Sequence, residues 1–240
     1  MQAIVNRTLH PGISSKSVSG EQPFAYLPSS TVSQYAKHET IYFQGEPAHR
    51  VYLVVEGKVK ILRHESLRVV VDVYRSHELF GESALAGQAH RMEQAVAMEP
   101  TKLISWTCEE IEKNAASSPE FATALIRFAA RRSLEFAIRI ESFSSEKIER
   151  RLTRALIRFA GRFGWETDDG TVRMDALTHD FLSQYVGTSR EIVSHYMSRF
   201  KRAGYVQYSR YGISLHQRAL IAWQTEQSAI ALRQSAAQAN

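Results

Sequence analysis

Thr188, Ser189, Arg190, Glu191, Ser194, His195, Arg199 and Lys201 lie within one stretch, GTSREIVSHYMSRFKRAGYV, residues 187–206. Their types and spacing suit the reading of duplex DNA. A guanidinium donates two hydrogen bonds to O6 and N7 of guanine, and a carboxylate accepts from N4 of cytosine. On a helix, Arg190, Glu191, Ser194, His195 and Arg199 share the outward side. Hydroxyls and ammonium groups at the ends of such a helix meet phosphates, which position it without reading sequence. Thr188, Ser189, Lys201 and Arg202 fit that role.

Such side chains must be held by elements. Ile192, Val193, Tyr196 and Phe200 recur on the opposite side of the same helix, expected over Ser189 to Ala203, and would bury against Phe181, Leu182 and Tyr185. Those three belong to a preceding short helix, Thr178 to Val186. Gly187 between the helices suits a left-handed C-terminal residue, because glycine lacks the Cβ that penalises it. Thr188 and Ser189 can cap the next helix, with Glu191 near its positive end. The following GYVQYSRYGISL reads as strand, turn and strand. Two helices joined by a glycine turn and followed by a two-stranded ribbon form a winged helix-turn-helix. Charge agrees with this: residues 1–145 hold 16 Lys and Arg against 16 Asp and Glu, whereas residues 146–218 hold 13 against 8. The basic excess sits in the segment expected to meet a polyanion.

Upstream the texture changes twice. From Glu39 to Thr107 the texture is β: in KVKIL the apolar Val59 and Ile61 alternate with Lys58 and Lys60, LRVVVDVY, EQAVAM and TKLISWT add further strands, and short strands between glycine turns mark a small barrel or jelly roll. From Pro119 to Phe143, apolar residues recur every three or four positions. Leu125, Ala129, Arg132, Phe136, Ile140 and Phe143 form a stripe suited to a helix seam between two copies of the chain or to packing on the chain's own barrel, and different faces can serve both. Pro119 fits a first turn capped by Ser117 or Ser118. Glu146 to Arg162 is a second amphipathic helix, with Ile148, Leu152, Leu156 and Phe159 on one side. Asp169–Gly170 marks a hairpin turn. The fold class expected is α+β: an N-terminal arm (1–23), a β-roll or jelly-roll domain (24–118), a dimerisation helix (119–145), a winged helix-turn-helix (146–218) and a helical tail (219–240).

These segments resemble bacterial regulators related to the cyclic-AMP receptor protein and the fumarate–nitrate reduction regulator, the CRP/FNR family. The resemblance covers about residues 24–216 and is carried by QGEPAHRVYLVVEGKVKI, FGESALAG…HR, the long helix and LTHDFLSQYVGTSREIVSHYMSRFKRAGYV. It implies a homodimer on an inverted repeat of double-stranded DNA, a cytoplasmic location and RNA polymerase as a further partner to consider. It also implies that Arg190, Glu191 and the residue at position 195 read bases; the family often has arginine where this chain has His195. In cyclic-nucleotide-binding members a Gly–Glu pair meets the ribose, and an arginine followed by a small hydroxyl residue holds the phosphate. The matching positions here are Gly81, Glu82, Arg91 and Met92. The spacing is one residue short, and Met92 replaces the hydroxyl. Phe136–Ala137 stands where a Thr–Ser pair would meet the base. These departures disfavour a cyclic nucleotide, predict a more apolar pocket and make a structural Glu82–Arg91 ion pair the favoured reading. The effector, if there is one, stays unidentified.

Other classes are poorly supported. The single cysteine, Cys108, read as a buried thiol, excludes a four-cysteine iron–sulfur centre within one chain. His64, His77 and His90 lack metal-ligand spacing. The chain carries no nucleophile elbow, P-loop or paired metal histidines, so an enzyme is not expected. A run of about 18 apolar residues and a signal peptide are also missing. A protein-interaction module and an effector-independent DNA-binding regulator stay open as alternatives.

Overall fold

The computed structural model describes Leu27 and residues 32–64 and 68–216. The expected arm at 1–23 and tail at 219–240 lie outside the described residues. Two four-stranded antiparallel sheets form the first half. In chain order the strands are β1 (Val32–Tyr35), β2 (Thr40–Tyr42), β3 (Arg50–Glu56), β4 (Lys58–His64), β5 (Arg68–Arg75), β6 (Leu79–Phe80), β7 (Gln94–Ala97) and β8 (Thr101–Thr107). One sheet runs β1-β8-β3-β6 and the other β2-β7-β4-β5. Their facing sides supply Tyr42, Val54, Val59, Ile61, Tyr74, Phe80, Ala95 and Leu103 to a common core. That alternation is the period-two pattern of the sequence, one face in and one face out. Gly57 makes the β3–β4 turn at φ +94°, and a Cβ there would stand 2.5 Å from Thr101 Oγ1 and 2.7 Å from Pro100 O. Only glycine fits.

Helices follow: α1 (Cys108–Ser117), α2 (Pro119–Ser145), α3 (Ile148–Phe163), α4 (His179–Val186) and α5 (Arg190–Arg202). Helix α1 was not expected. It opens with a capping box, Thr107 and Glu110 each bonding the other's backbone amide. Cys108 is its first residue and is partly exposed rather than buried; what burial it has raises its thiol pKa. Ser118 caps α2 and Pro119 occupies its first turn. Trp106, Ile111 and Phe121 then cover the outer side of Val51, Leu53 and Leu79.

The stripe expected on α2 divides between two faces. Leu125 and Arg132 turn to the chain's own barrel, while Phe136 is half-buried. The exposed apolar row keeps Ile140 (66% exposed) and adds Ile126 (69%), Ala130, Leu134 (61%) and Ala137. Steps of three and four keep these on one side of a helix.

The second half is built around α3, with Leu152, Ala155, Leu156, Phe159 and Ala160 buried at helical spacing. Strands β9 (Trp165–Glu166), β10 (Val172–Met174), β11 (Val206–Ser209) and β12 (Gly212–Leu215) form one sheet, β11-β12-β10-β9. The core of this half also takes in Leu62, Val70, Val73 and Val96 from the barrel. The winged half is therefore docked on the barrel through shared apolar burial.

Candidate functional site

The carboxyl-terminal site starts with two caps and a turn. Thr178 Oγ1 accepts from Phe181 N at 3.0 Å to begin α4. Gly187 ends α4 at φ +68°. Its missing Cβ leaves room for Phe143 of α2, whose ring would lie 2.7 Å from an added methyl. Ser189 Oγ then accepts from Ile192 N at 3.4 Å and begins α5. Val193, Met197 and Phe200 form the buried side of α5. Met197 replaces Ile192 in the expected set: Ile192 is 38% exposed, and Tyr196 is half-buried with its ring stacked on Phe200.

Arg190, Glu191, His195, Arg199, Ser189 and Lys201 are exposed, and Thr188 is half-buried. The hydrogen bond from the Ser189 hydroxyl and the helix's own amide hold the Glu191 carboxyl below its usual range, so it is an acceptor at neutral pH. Three of the expected groups also have partners within the chain. Ser194 does not point freely outward; its hydroxyl lies 2.8 Å from His179 Nδ1 and staples α5 to the start of α4. Arg199 faces Glu149 of α3 at 3.0 Å. The Lys201 ammonium lies 5.2 Å over the ring of Tyr208 in the wing. Sequence reasoning also missed Arg210 and Tyr211 at the wing tip, where Arg210 donates to the Tyr211 hydroxyl. A cation and an aromatic residue between two strands, in YSRYGIS, were the available signal.

The barrel pocket is built differently from the sequence expectation. Gly81 takes φ +77° before a short 3-10 turn, Glu82–Ala86. Arg91 is 3% exposed. Its guanidinium donates to Gly81 O at 2.9 Å and to Arg50 O, and lies 4.1 Å over the ring of Tyr42. Glu82 therefore does not pair with Arg91. Its partner is Arg132 of α2, at 3.3 Å. Met92 points out to solvent, 46% exposed. Phe136 lies 5.0 Å below the Arg132 guanidinium. The expected apolar pocket is instead a buried polar network. Arg132 also meets Asp72 at 3.1 Å and donates to the Tyr74 hydroxyl. Asp72 escaped the sequence reading because a lone acid within VVVDVY carries no signal beyond a break in an apolar run.

Glu82 and Asp72 share Arg132 yet differ in proton affinity. Burial dominates at Glu82 and raises its carboxyl. Burial would do the same to Asp72, but the guanidiniums of Arg162, Arg158 and Arg132 outweigh it and hold that carboxyl below the usual range.

Two family models match. One, described as a cyclic nucleotide-binding domain, covers residues 32–117; the other, a Crp-like helix-turn-helix domain, covers residues 150–222. A global nitrogen regulator of Synechococcus elongatus is 31% identical over 72% of this chain and 79% of its own length. A CRP-like cAMP-activated global transcriptional regulator of Mycobacterium tuberculosis is 26% identical over 72% of this chain and 78% of that one. Among solved structures, a CRP/FNR family transcriptional regulator from Thermus thermophilus superposes with a TM-score of 0.68 at 25% identity, covering 80% of this chain and 97% of that one. FixK2 from Bradyrhizobium japonicum gives a TM-score of 0.71 at 22% identity, over 81% and 97% of the two chains, and shares the fold.

Proposed function

The chain belongs to the CRP/FNR family of transcription regulators, and from that premise we propose that it binds an inverted repeat as a homodimer, with α5 of each copy in the major groove. The observation that carries this is the capped, exposed amino-terminal end of α5, with Arg190 and Glu191 outward and Val193, Met197 and Phe200 buried. Arg190 and Glu191 are the base readers, joined by His195. Thr188, Ser189 and Lys201 hold phosphates. Ser194 and Arg199 act at one remove, orienting α5 through His179 and Glu149. Residues 24–118 form the sensor unit, 119–145 the pairing helix and 146–218 the reader.

Pairing through α2 is supported by the exposed row Ile126, Leu134 and Ile140, an apolar strip that water disfavours. Two copies joined there would present two reading helices, and an inverted repeat mirrors that symmetry. Regulation rather than catalysis fits both matched domains. Among the described residues, no helix is long and apolar enough to cross a membrane.

Cyclic AMP does not fit the pocket well. The arginine at the phosphate position, Arg91, already has carbonyl and ring partners. The deciding experiment is selection of bound duplexes from random DNA, with and without cyclic AMP. A two-fold symmetric site with half-sites one duplex turn apart supports the reading, and equal recovery of all sequences refutes it. Binding should also weaken steeply with salt, as phosphate contacts release counterions.

A further inference from the structure

Asp72 lies in the middle of β5 and is 2% exposed. A carboxylate so far from water stays ionised only when charged partners replace its hydration. Its partners come from two different helices. Arg132 of α2 reaches Oδ2 at 3.1 Å. Arg158 and Arg162 of α3 reach Oδ2 and Oδ1, each at 3.2 Å. Val73 N donates to Oδ1 as well, at 2.8 Å. One barrel carboxylate is thus held jointly by the long connecting helix and by the first helix of the winged half.

These guanidiniums have other acceptors within reach. Arg162 meets Glu78 at 2.5 Å, Arg158 lies 3.4 Å from Glu135, and Arg132 meets Glu82 and Glu135. They wall a cleft of about 420 Å³ between barrel, α2 and α3. Arg132, Arg158 and Arg162 each already face a carboxylate there, so an incoming anion would have to displace one.

We propose that Asp72 is a built-in anionic ligand of the sensor domain, bridging Arg132 of α2 to Arg158 and Arg162 of α3 and holding the winged half against the barrel without a small effector. It does from within the chain what a bound phosphate or carboxylate would do from outside. The proposal rests on the reading of α5 only for its consequence at DNA; the docking stands apart from it.

The test is amide hydrogen exchange on the full-length protein and on three variants: Asp72→Asn, Asp72→Ala and the double change Arg158→Gln with Arg162→Gln. Exchange across Ile148–Phe163 should rise at least about tenfold in all three, because the docked helix opens more often. Strands β3 and β8 should stay protected. Formate at tens of millimolar should restore protection of α3 in Asp72→Ala, and sodium chloride at equal ionic strength should not. If an Asp72 variant also loses protection in β3 and β8, the double variant carries the test from the α3 side. Wild-type exchange of α3 in Asp72→Asn and in the double variant would overturn the proposal. So would formate acting no better than chloride, or cyclic AMP binding the wild type and protecting α3 further. Duplex binding by Arg190→Ala, measured separately, tests α5 alone. An unchanged affinity there sinks the DNA reading and leaves the exchange result standing.

Discussion

At Arg91 the guanidinium donates to two backbone carbonyls and lies 4.1 Å over Tyr42, which makes it a brace between the Gly81 turn and β3. Hydrogen bonds from a charged donor are worth roughly 1.5–3 kcal/mol each. Arg91→Ala should therefore lower the midpoint of chemical unfolding without changing the slope, while any response to cyclic AMP stays flat. Glu191 belongs to the other site. Its replacement by Ala should relax preference at a single base pair by roughly 1–3 kcal/mol, read by competition between matched and singly mismatched duplexes. Asp72 makes a prediction in pH. Its folded-state carboxyl is held below the usual range, so its stabilisation is present above the ordinary carboxylate pKa and is lost as pH falls through the depressed value. Neighbouring Glu82, raised by burial, titrates with the opposite sign. Thermal scans against pH should show the wild type losing its advantage over Asp72→Asn on acidification, the two curves meeting in strong acid.

The elements of the reading domain were legible because their ends are marked chemically. Thr178, Gly187 and Ser189 stand where the helices start and stop, and each does the job its chemistry suggests. Gly187→Ala should cost about 1–2 kcal/mol for a left-handed alanine, and more because Phe143 occupies the space. A lowered melting temperature together with loosened α2–α4 packing would register both effects. Helix α1 carried an equally plain mark, the T-x-x-E of Thr107 and Glu110. It was missed because the preceding strand reads on into it. Thr107→Ala should cost roughly 1 kcal/mol, measured by chemical denaturation. The α2 stripe mixes two faces, Leu125 and Arg132 toward the barrel and Ile140 on the exposed row with Ile126 and Leu134. A helix with apolar residues on two sides has two valid phases, and only the packing of Phe121, Ala124 and Phe128 on the barrel assigns them. The pocket was the least legible part. Its motif residues, Glu82 and Arg91, are present, but their partners Arg132, Arg50 and Gly81 are long-range choices no local pattern encodes.

Across the whole molecule, barrel and winged half are joined by apolar burial and by ion pairs spread over several elements. Lys58 of β4 meets Asp175 beyond β10 at 2.7 Å, and Arg162 of α3 meets Glu78. Pairing of two copies should depend on the outer row of α2. Leu134→Glu is expected to yield monomers by light scattering and to abolish binding to an inverted repeat while sparing the barrel fold. A dimer that persists in that variant would put the seam elsewhere. Arg139, on the inner side of α2, donates to the carbonyls of Val70 and Val71 in β5 and to Tyr185 O at the end of α4. Its guanidinium also lies 4.2 Å over the Tyr185 ring. Three acceptors on one rigid, planar fork cannot be released one at a time by a small turn of the rod that carries it. A twist of that axle either leaves the whole set engaged or lets go of sheet and reader together, so the machine ought to click between positions rather than slide.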